Sequence, residues 1–430
     1  MLSLCDLVEI MHGELIMPYF STIEAATLRG VCRRFHGVVT AYPWDDRDTY
    51  VFDLRTWAIS FPHARYCKIG QSYAVLSKDL GYLHGMCHQR NLQRIDMVGN
   101  NNACFGDWGV HQLKGIRHLD LRMCAEVELS DLGLSNLKGI KTLYFTARNV
   151  TDSGMYHLKG IQDLSVDGDI EITDRGLGLL APHLQQLSIG SGYYVSITDA
   201  PFVKMSALVE LSLYGLTHAE LTDRTLRALT GLTSLSICAC SRAVFTGAGI
   251  RALAGVKIIT ISNMDGVTCD DSAIAALAGV ERLDLSSCRG VSITDAGIAA
   301  IAGVRILSLA DCRGLQISDE GFMALAGIST LDLSWNRGAR IQLSHIGIWA
   351  LRGIHMLDMT DTDLYFTADE IAPLTANGSY INTDLPEIEW LNGGQPHEDF
   401  EDFEDFDEFN EFNEFEGDFD YAGEFHNDDD

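Results

Sequence analysis

Residues 280–304 read VERLDLSSCRGVSITDAGIAAIAGV, and residues 304–328 read VRILSLADCRGLQISDEGFMALAGI. Apolar residues, a cysteine, a hydroxyl–carboxylate pair and a glycine return at nearly the same offsets. Within the first copy, Leu283 and Leu285 alternate with Arg282, Asp284 and Ser286, the period of a short strand with one buried face. A turn follows, and then Thr294 or Asp295 stands where a side chain can cap the amides that open a helix. The run AGIAAIA is rich in helix formers, and Gly303 closes it. Gly115, Gly139, Gly160, Gly231, Gly255, Gly279, Gly327 and Gly353 hold the same place, where a left-handed residue ends a helix and returns the chain to the sheet.

The pattern LxxLxL starts at Leu92, Ile116, Ile140, Ile161, Leu184, Leu208, Leu232, Val256, Val280, Val304, Ile328 and Ile354. Eight of the eleven intervals are 24 residues, and the others are 21, 23 and 26. A period held over twelve copies is the signature of a solenoid built from leucine-rich repeats. Strand on one side and helix on the other make each copy a wedge, so stacking curves the array. The expected fold is an α/β solenoid of about 12 repeats, with a parallel sheet on the concave face and helices on the convex face. At about 4.8 Å per strand such a sheet is about 55 Å across.

Cys124, Cys240, Cys288 and Cys312 each stand five residues after the first leucine of their strand, and Asn100 and Asn336 occupy the same slot. A small buried polar side chain there can bond the backbone of the turn where the strand ladder ends. The pattern resembles the cysteine-containing class of leucine-rich repeats, found above all in F-box proteins and their relatives. The resemblance covers residues 92 to 365, closest from 208 to 353 and loosest from 140 to 200.

Residues 6–44 lie outside this repeat and are helical in period, with apolar positions at Val8, Met11, Leu15, Ile16, Tyr19 and Phe20, then Ala25, Leu28, Val31, Cys32 and Phe35. A helical hairpin this small needs covering, and read from the residues alone it caps the first repeat. The stretch also resembles the F-box: IMPYF at 16–20 matches its helix end, Glu24 its acidic position, VCRRF at 31–35 its core and Trp44 its close. Val8-Glu9 replaces the usual Leu-Pro start, and Pro18 falls inside the helix end. The resemblance implies that Ile16, Tyr19, Phe20, Leu28, Val31, Phe35 and Trp44 divide between the box's own core and a face that docks on a Skp-type adaptor, and through it on a Cullin scaffold. Proteins of this plan occur in eukaryotes and in large viruses of amoebae.

Composition bounds the rest. The chain has 430 residues, 47% of them hydrophobic, with a net charge of -29 and a mean hydropathy of +0.05. No signal-peptide pattern or long apolar run is present, and eleven cysteines at irregular spacing fit reduced thiols. These features point to an intracellular protein, cytoplasmic or nuclear. Seventeen of the 60 acidic residues lie between Glu398 and Asp430, where FEDFEDFDEFNEFNEF repeats phenylalanine every third residue. That spacing winds the rings around a helix instead of gathering them, so a disordered acidic tail is expected, one that repels nucleic acid and anionic membrane and attracts a basic partner. The expected boundaries are 1–45 for the box, 46–91 for a linker and amino-terminal cap, 92–366 for the repeats, 367–397 for a carboxy-terminal cap and 398–430 for the tail.

Function in such an array is expected on the concave strands. The central outward row reads Asp96, Asp120, Tyr144, Ser165, Ser188, Ser212, Ser236, Thr260, Asp284, Ser308, Asp332 and Asp358, with carboxylates towards the ends and small hydroxyls between. Binding hot spots favour Trp, Tyr and Arg, which selects Tyr144, the flanking Arg122 and Tyr214, and Tyr193, Tyr194, Trp335, Arg337 and Arg340 in two irregular loops, as contacts for a target protein. No nucleophile, nucleotide or metalloprotease motif appears, so no catalytic role and no cofactor are expected. His84, Cys87 and His88, with Cys67 and Cys104 nearby, lack the paired CxxC of a zinc site and read as ordinary linker residues. Two functions follow: a substrate receptor of an SCF-type ubiquitin ligase, working by proximity, or a stand-alone interaction scaffold whose helical start is only a cap.

Overall fold

The computed structural model describes residues 17–30, 33–190, 194–364, 366–375 and 379–383. Fifteen strands run in one parallel sheet in chain order, from Tyr50–Val51 to Tyr380–Asn382, and the strand Glu128–Leu129 pairs at its side. The register repeats from strand to strand. Leu211, Leu235, Ile259, Leu283, Leu307, Leu331 and Leu357 are Cα partners in succession, and all are buried. Burying each such side chain contributes on the order of 2 kcal/mol before chain entropy is set against it. Between strand and helix the chain turns through a left-handed residue at one fixed place, with φ of 54° at Ala239, 53° at Asn263 and Ser287, 48° at Asp311 and 59° at Trp335.

Between residues 92 and 354 the α-helices are single turns of four to six residues such as Asp295–Ala300 and Asp319–Ala324, too short to stand alone. Their starts hold the repeats together. Thr294 is the cap, its hydroxyl accepting from the Ala296 N–H at 3.3 Å. Asp295, the first helical residue, reaches instead into the following repeat, where its carboxylate accepts the Ser318 N–H at 2.8 Å and the Ser318 hydroxyl at 2.6 Å. The same clasp joins Asp107 to Ser130, Asp131 to Thr151, Asp152 to Thr173, Asp174 to Thr198, Asp199 to Thr222, Asp223 to Thr246, Asp271 to Thr294 and Asp319 to Ser344.

This clasp explains the glycine of the ITDxG motif. A Cβ on Gly321 would lie 2.5 Å from Asp295 Oδ1, and one on Gly347 would lie 2.7 Å from Asp319 Oδ1. Two departures follow the same logic. Thr225 stands in the glycine slot and donates its hydroxyl to Asp199 at 2.6 Å. Where the cap is itself a carboxylate, Asp270, the preceding clasp position is Gly247, so two acids do not face each other, and the glycine slot holds Ala273.

The sheet outruns the twelve expected copies. Residues 46–91, expected as a linker and cap, already carry two of its strands, Tyr50–Val51 and Tyr66–Ile69, and Tyr380–Asn382 adds one after the last copy. Of the nine helix-closing glycines, Gly231 is not left-handed; the other eight have φ between 85° and 101°. The amino-terminal segment forms the helices Thr22–Arg29 and Arg33–Ala41. Ser21 and Glu24 form a reciprocal capping box, and Asp46 accepts from the Thr22 N–H and hydroxyl at 2.5 and 2.9 Å. Trp44 is buried, donates its indole N–H to the Val39 carbonyl and meets Phe61 edge-on. The acidic stretch from Glu398 lies outside the described residues.

Removing the carboxylate in Asp295→Ala strands the Ser318 and Gly321 amides and is expected to cost roughly 1–3 kcal/mol in urea unfolding. Gly321→Ala alone is expected to cost about 1–3 kcal/mol. In the Asp295→Ala background its cost shrinks, because the clashing oxygen is gone. Strict additivity in that cycle would refute the clasp.

Candidate interaction surfaces

The concave row is a continuous line in the structure. Lys68, Asp96, Asp120 and Tyr144 are successive Cα partners, Ser165 to Ser236 follow, and Thr260, Asp284, Ser308, Asp332, Asp358 and Asn382 complete it. Its carboxylates also work on the backbone. Asp120, Asp284, Asp332 and Asp358 each accept the N–H two residues ahead, at 3.2, 2.8, 3.0 and 2.9 Å. Their strands end at the carboxylate, as Ile306–Ser308 ends at its serine, whereas Glu210–Tyr214, Ser234–Cys238 and Ile258–Ser262 run two residues further.

Diverting that N–H leaves a carbonyl of the preceding strand in need of a donor, which the cysteine or asparagine slot supplies. Cys124 donates to the Met97 carbonyl at 3.1 Å, Cys288 to Ile261 at 3.2 Å and Asn336 to Leu309 at 2.8 Å. Cys240, whose strand continues through the Cys238–Tyr214 pair, lies 3.9 Å from the Leu213 carbonyl. Burial pushes the Cys288 and Cys312 thiols up to about 12, so they keep the proton they donate. The nine cysteines within the described residues are free thiols.

Among the expected target contacts, the structure brings Arg122 and Tyr144 together. The Arg122 guanidinium pairs with Asp120 at 3.0 Å and lies 4.9 Å from the centre of the Tyr144 ring. Beside them His118 Nδ1 stands 3.0 Å from the Thr142 hydroxyl, which donates to Asp163 at 2.9 Å. Burial and the Arg94 charge lower the His118 pKa, so the neutral ring donates through Nδ1 into this chain. Tyr214 is half-buried on the flanking row, and Tyr194 is exposed in its loop. Tyr193 lies outside the described residues. Trp335 is 63% exposed, Arg337 pairs with Asp361, and Arg340 sits away from the row, in a two-stranded ladder with Gln316.

The expected adaptor contacts divide. Phe35 and Trp44 are 3% and 2% exposed, which corrects their assignment to a docking face: they are core, because Trp44 anchors the helical segment to Phe61. Tyr19 is 84% exposed, while Phe20 and Leu28 are half-buried. Ile16 and Val31 lie outside the described residues. Ile23, 65% exposed, joins this surface; its place after the Ser21 cap was a signal that the apolar periodicity passed over. In the stretch weighed for zinc, His84 Nδ1 meets the Gln112 carbonyl at 3.1 Å, Cys67 and Cys87 are buried, and Cys104 is exposed.

No family model and no curated protein matches this chain. Solved structures align along its length. Rad7, crystallised in complex with Elc1 in yeast, is 16% identical with a TM-score of 0.48 and covers 88% of this chain and 97% of its own. An internalin from Listeria monocytogenes is 17% identical with a TM-score of 0.48, covering 72% and 89%. A leucine-rich repeat protein of Leptospira interrogans is 14% identical with a TM-score of 0.46, covering 78% and 100%. The assignment of fold rests on the register and the clasps themselves: the chain is a leucine-rich repeat solenoid.

Burial raises the Asp284 pKa above its ordinary value of 3.8, with the Asp332 charge adding to the effect. The folded state therefore holds this proton more tightly than the unfolded chain, and stability is lost as pH rises through the raised value. Asp284→Asn keeps an oxygen for the Ser286 N–H and is expected to raise the thermal midpoint at pH 7 by about 1–2 °C. The gain should vanish below the ordinary carboxylate pKa. An equal gain at both pH values would assign the effect to packing.

Proposed function

We propose that this protein is a non-catalytic substrate receptor of an SCF-type ubiquitin ligase, acting in the cytoplasm or nucleus. The helical segment engages a Skp-type adaptor on a Cullin scaffold, and the repeats hold the target near the conjugating enzyme. Proximity then supplies the rate. The observation that carries this reading is the exposure of Tyr19 and Ile23 on a segment whose own core is already closed by Phe35 and Trp44. Tyr19 is the most exposed large apolar side chain among the described residues, and an apolar group left in water is available to a partner.

A stand-alone scaffold is the second reading. It draws on the bonding of the segment to the first solenoid turn, through Asp46 to Thr22 and through the Arg65 N–H to the Trp44 carbonyl.

Co-purification with a recombinant Skp-type adaptor separates the two. The intact chain is expected to capture the adaptor, and Tyr19→Asp combined with Ile23→Asp to lose at least about tenfold in affinity, since apolar anchors dominate such interfaces. The solenoid of the variant should melt as the parent does. Failure of the intact chain to bind would leave the scaffold reading.

A further inference from the structure

The carboxy-terminal part of the concave face differs from the rest in charge and in its flanks. Towards the amino terminus the rows hold three cations, Lys68, Arg94 and Arg122, beside the three acids Asp96, Asp120 and Asp163, and Arg122 pairs with Asp120. From the strand Arg282–Asp284 onward, the three outward rows hold Asp284, Asp332 and Asp358 against the single cation Arg282, among the described residues. On one flank, two residues back along their strands, stand Ile306 and Met356. On the other, Trp335 occupies the left-handed slot at φ 59°, which Ser287, Asp311 and Asp361 fill in neighbouring repeats. A bulky side chain is strained there, and its ring is 63% exposed. The ring, three residues beyond Asp332 in the chain, is thus held in water without being needed by the core.

We propose that this part of the face binds an extended basic segment of the target protein, with alternate Lys or Arg side chains on Asp284, Asp332 and Asp358. This names the substrate class for the receptor reading above and rests on it. Spacing supports it: Asp332 and Asp358 lie two and three strands from Asp284, about 10 and 14 Å, and alternate side chains of an extended peptide fall about 7 and 14 Å along, a difference of about 3 Å that a long Lys or Arg side chain spans. Ile306 and Met356 receive the aliphatic stems of such side chains, and the Trp335 ring faces a cation by its π surface. Asp284 is 7% exposed, so a partner cation there acts in a poorly solvated place, where its attraction is least screened.

The test uses the full chain and the heptapeptide GRSRSRG carrying an amino-terminal photoreactive group, with GESESEG as control. Cross-links of the basic peptide are expected on residues 282–382, and none are expected from the acidic one. Asp332→Asn combined with Asp358→Asn keeps the acceptors for the Ser334 and Thr360 amides, and should weaken binding roughly tenfold through the lost charges. Trp335→Asn, a residue already found in that slot at Asn263, should also weaken it. Cross-links confined to 385–430, or affinity unmoved by both variants, would overturn the proposal. Adaptor capture is measured on the same preparations. Loss of the peptide site with capture intact counts against this inference alone; a chain that fails to capture the adaptor but binds the peptide counts against the ligase reading alone.

Discussion

One contact recurs along the molecule and sets its geometry: the carboxylate that follows the cap in nine of the repeats, bound by the amide and hydroxyl that cap the next. A helical turn of six residues has no stability of its own, and an Asp at its start already favours the positive end of the helix. Here the same charge also satisfies two donors of the following copy, at 2.7–2.9 Å from the amide and 2.5–2.7 Å from the hydroxyl. The convex side is thereby kept in step with the sheet. Most repeats both give and receive the contact, so such a copy is not complete alone.

The apolar period, the line of concave residues and the polar slot at 124, 240, 288 and 312 were legible in the sequence, because all three depend on offsets within one copy. The carboxylate clasp was not. Reading Thr294 and Asp295 as alternative caps treats a repeat as self-contained, whereas Asp295 is bound by a residue 23 positions on. The strands Tyr50–Val51 and Tyr66–Ile69 were hidden for another reason: the second keeps the spacing in other letters, Ala64, Cys67 and Ile69, and the first pairs over two residues only. The aromatic positions of the helical segment could be found by period, but only packing against Phe61 separates Trp44, which is core, from Tyr19, which is surface.

The acidic row also changes meaning once its hydrogen bonds are seen. Asp120, Asp284 and Asp332 are strand terminators before they are charges, and the thiol or amide four residues beyond each restores the carbonyl that termination exposes. The slot also works without the charge: Ile306–Ser308 ends at a serine, and Cys312 donates to the Leu285 carbonyl at 3.1 Å all the same. The thiol or amide therefore belongs to the turn, and the carboxylate is an addition that secures it.

The chain of clasps is interrupted at one place, between Gly247 and Asp270, which leaves six clasps before it and three after it among the described residues. The inner face carries that joint instead: Ser234–Cys238 and Ile258–Ser262 pair over five residues, against three at each joint that follows, and the Phe245 carbonyl accepts the Thr268 N–H behind them. Where the outer fastening is missing, the ladder of the sheet runs longer than at the joints beyond it.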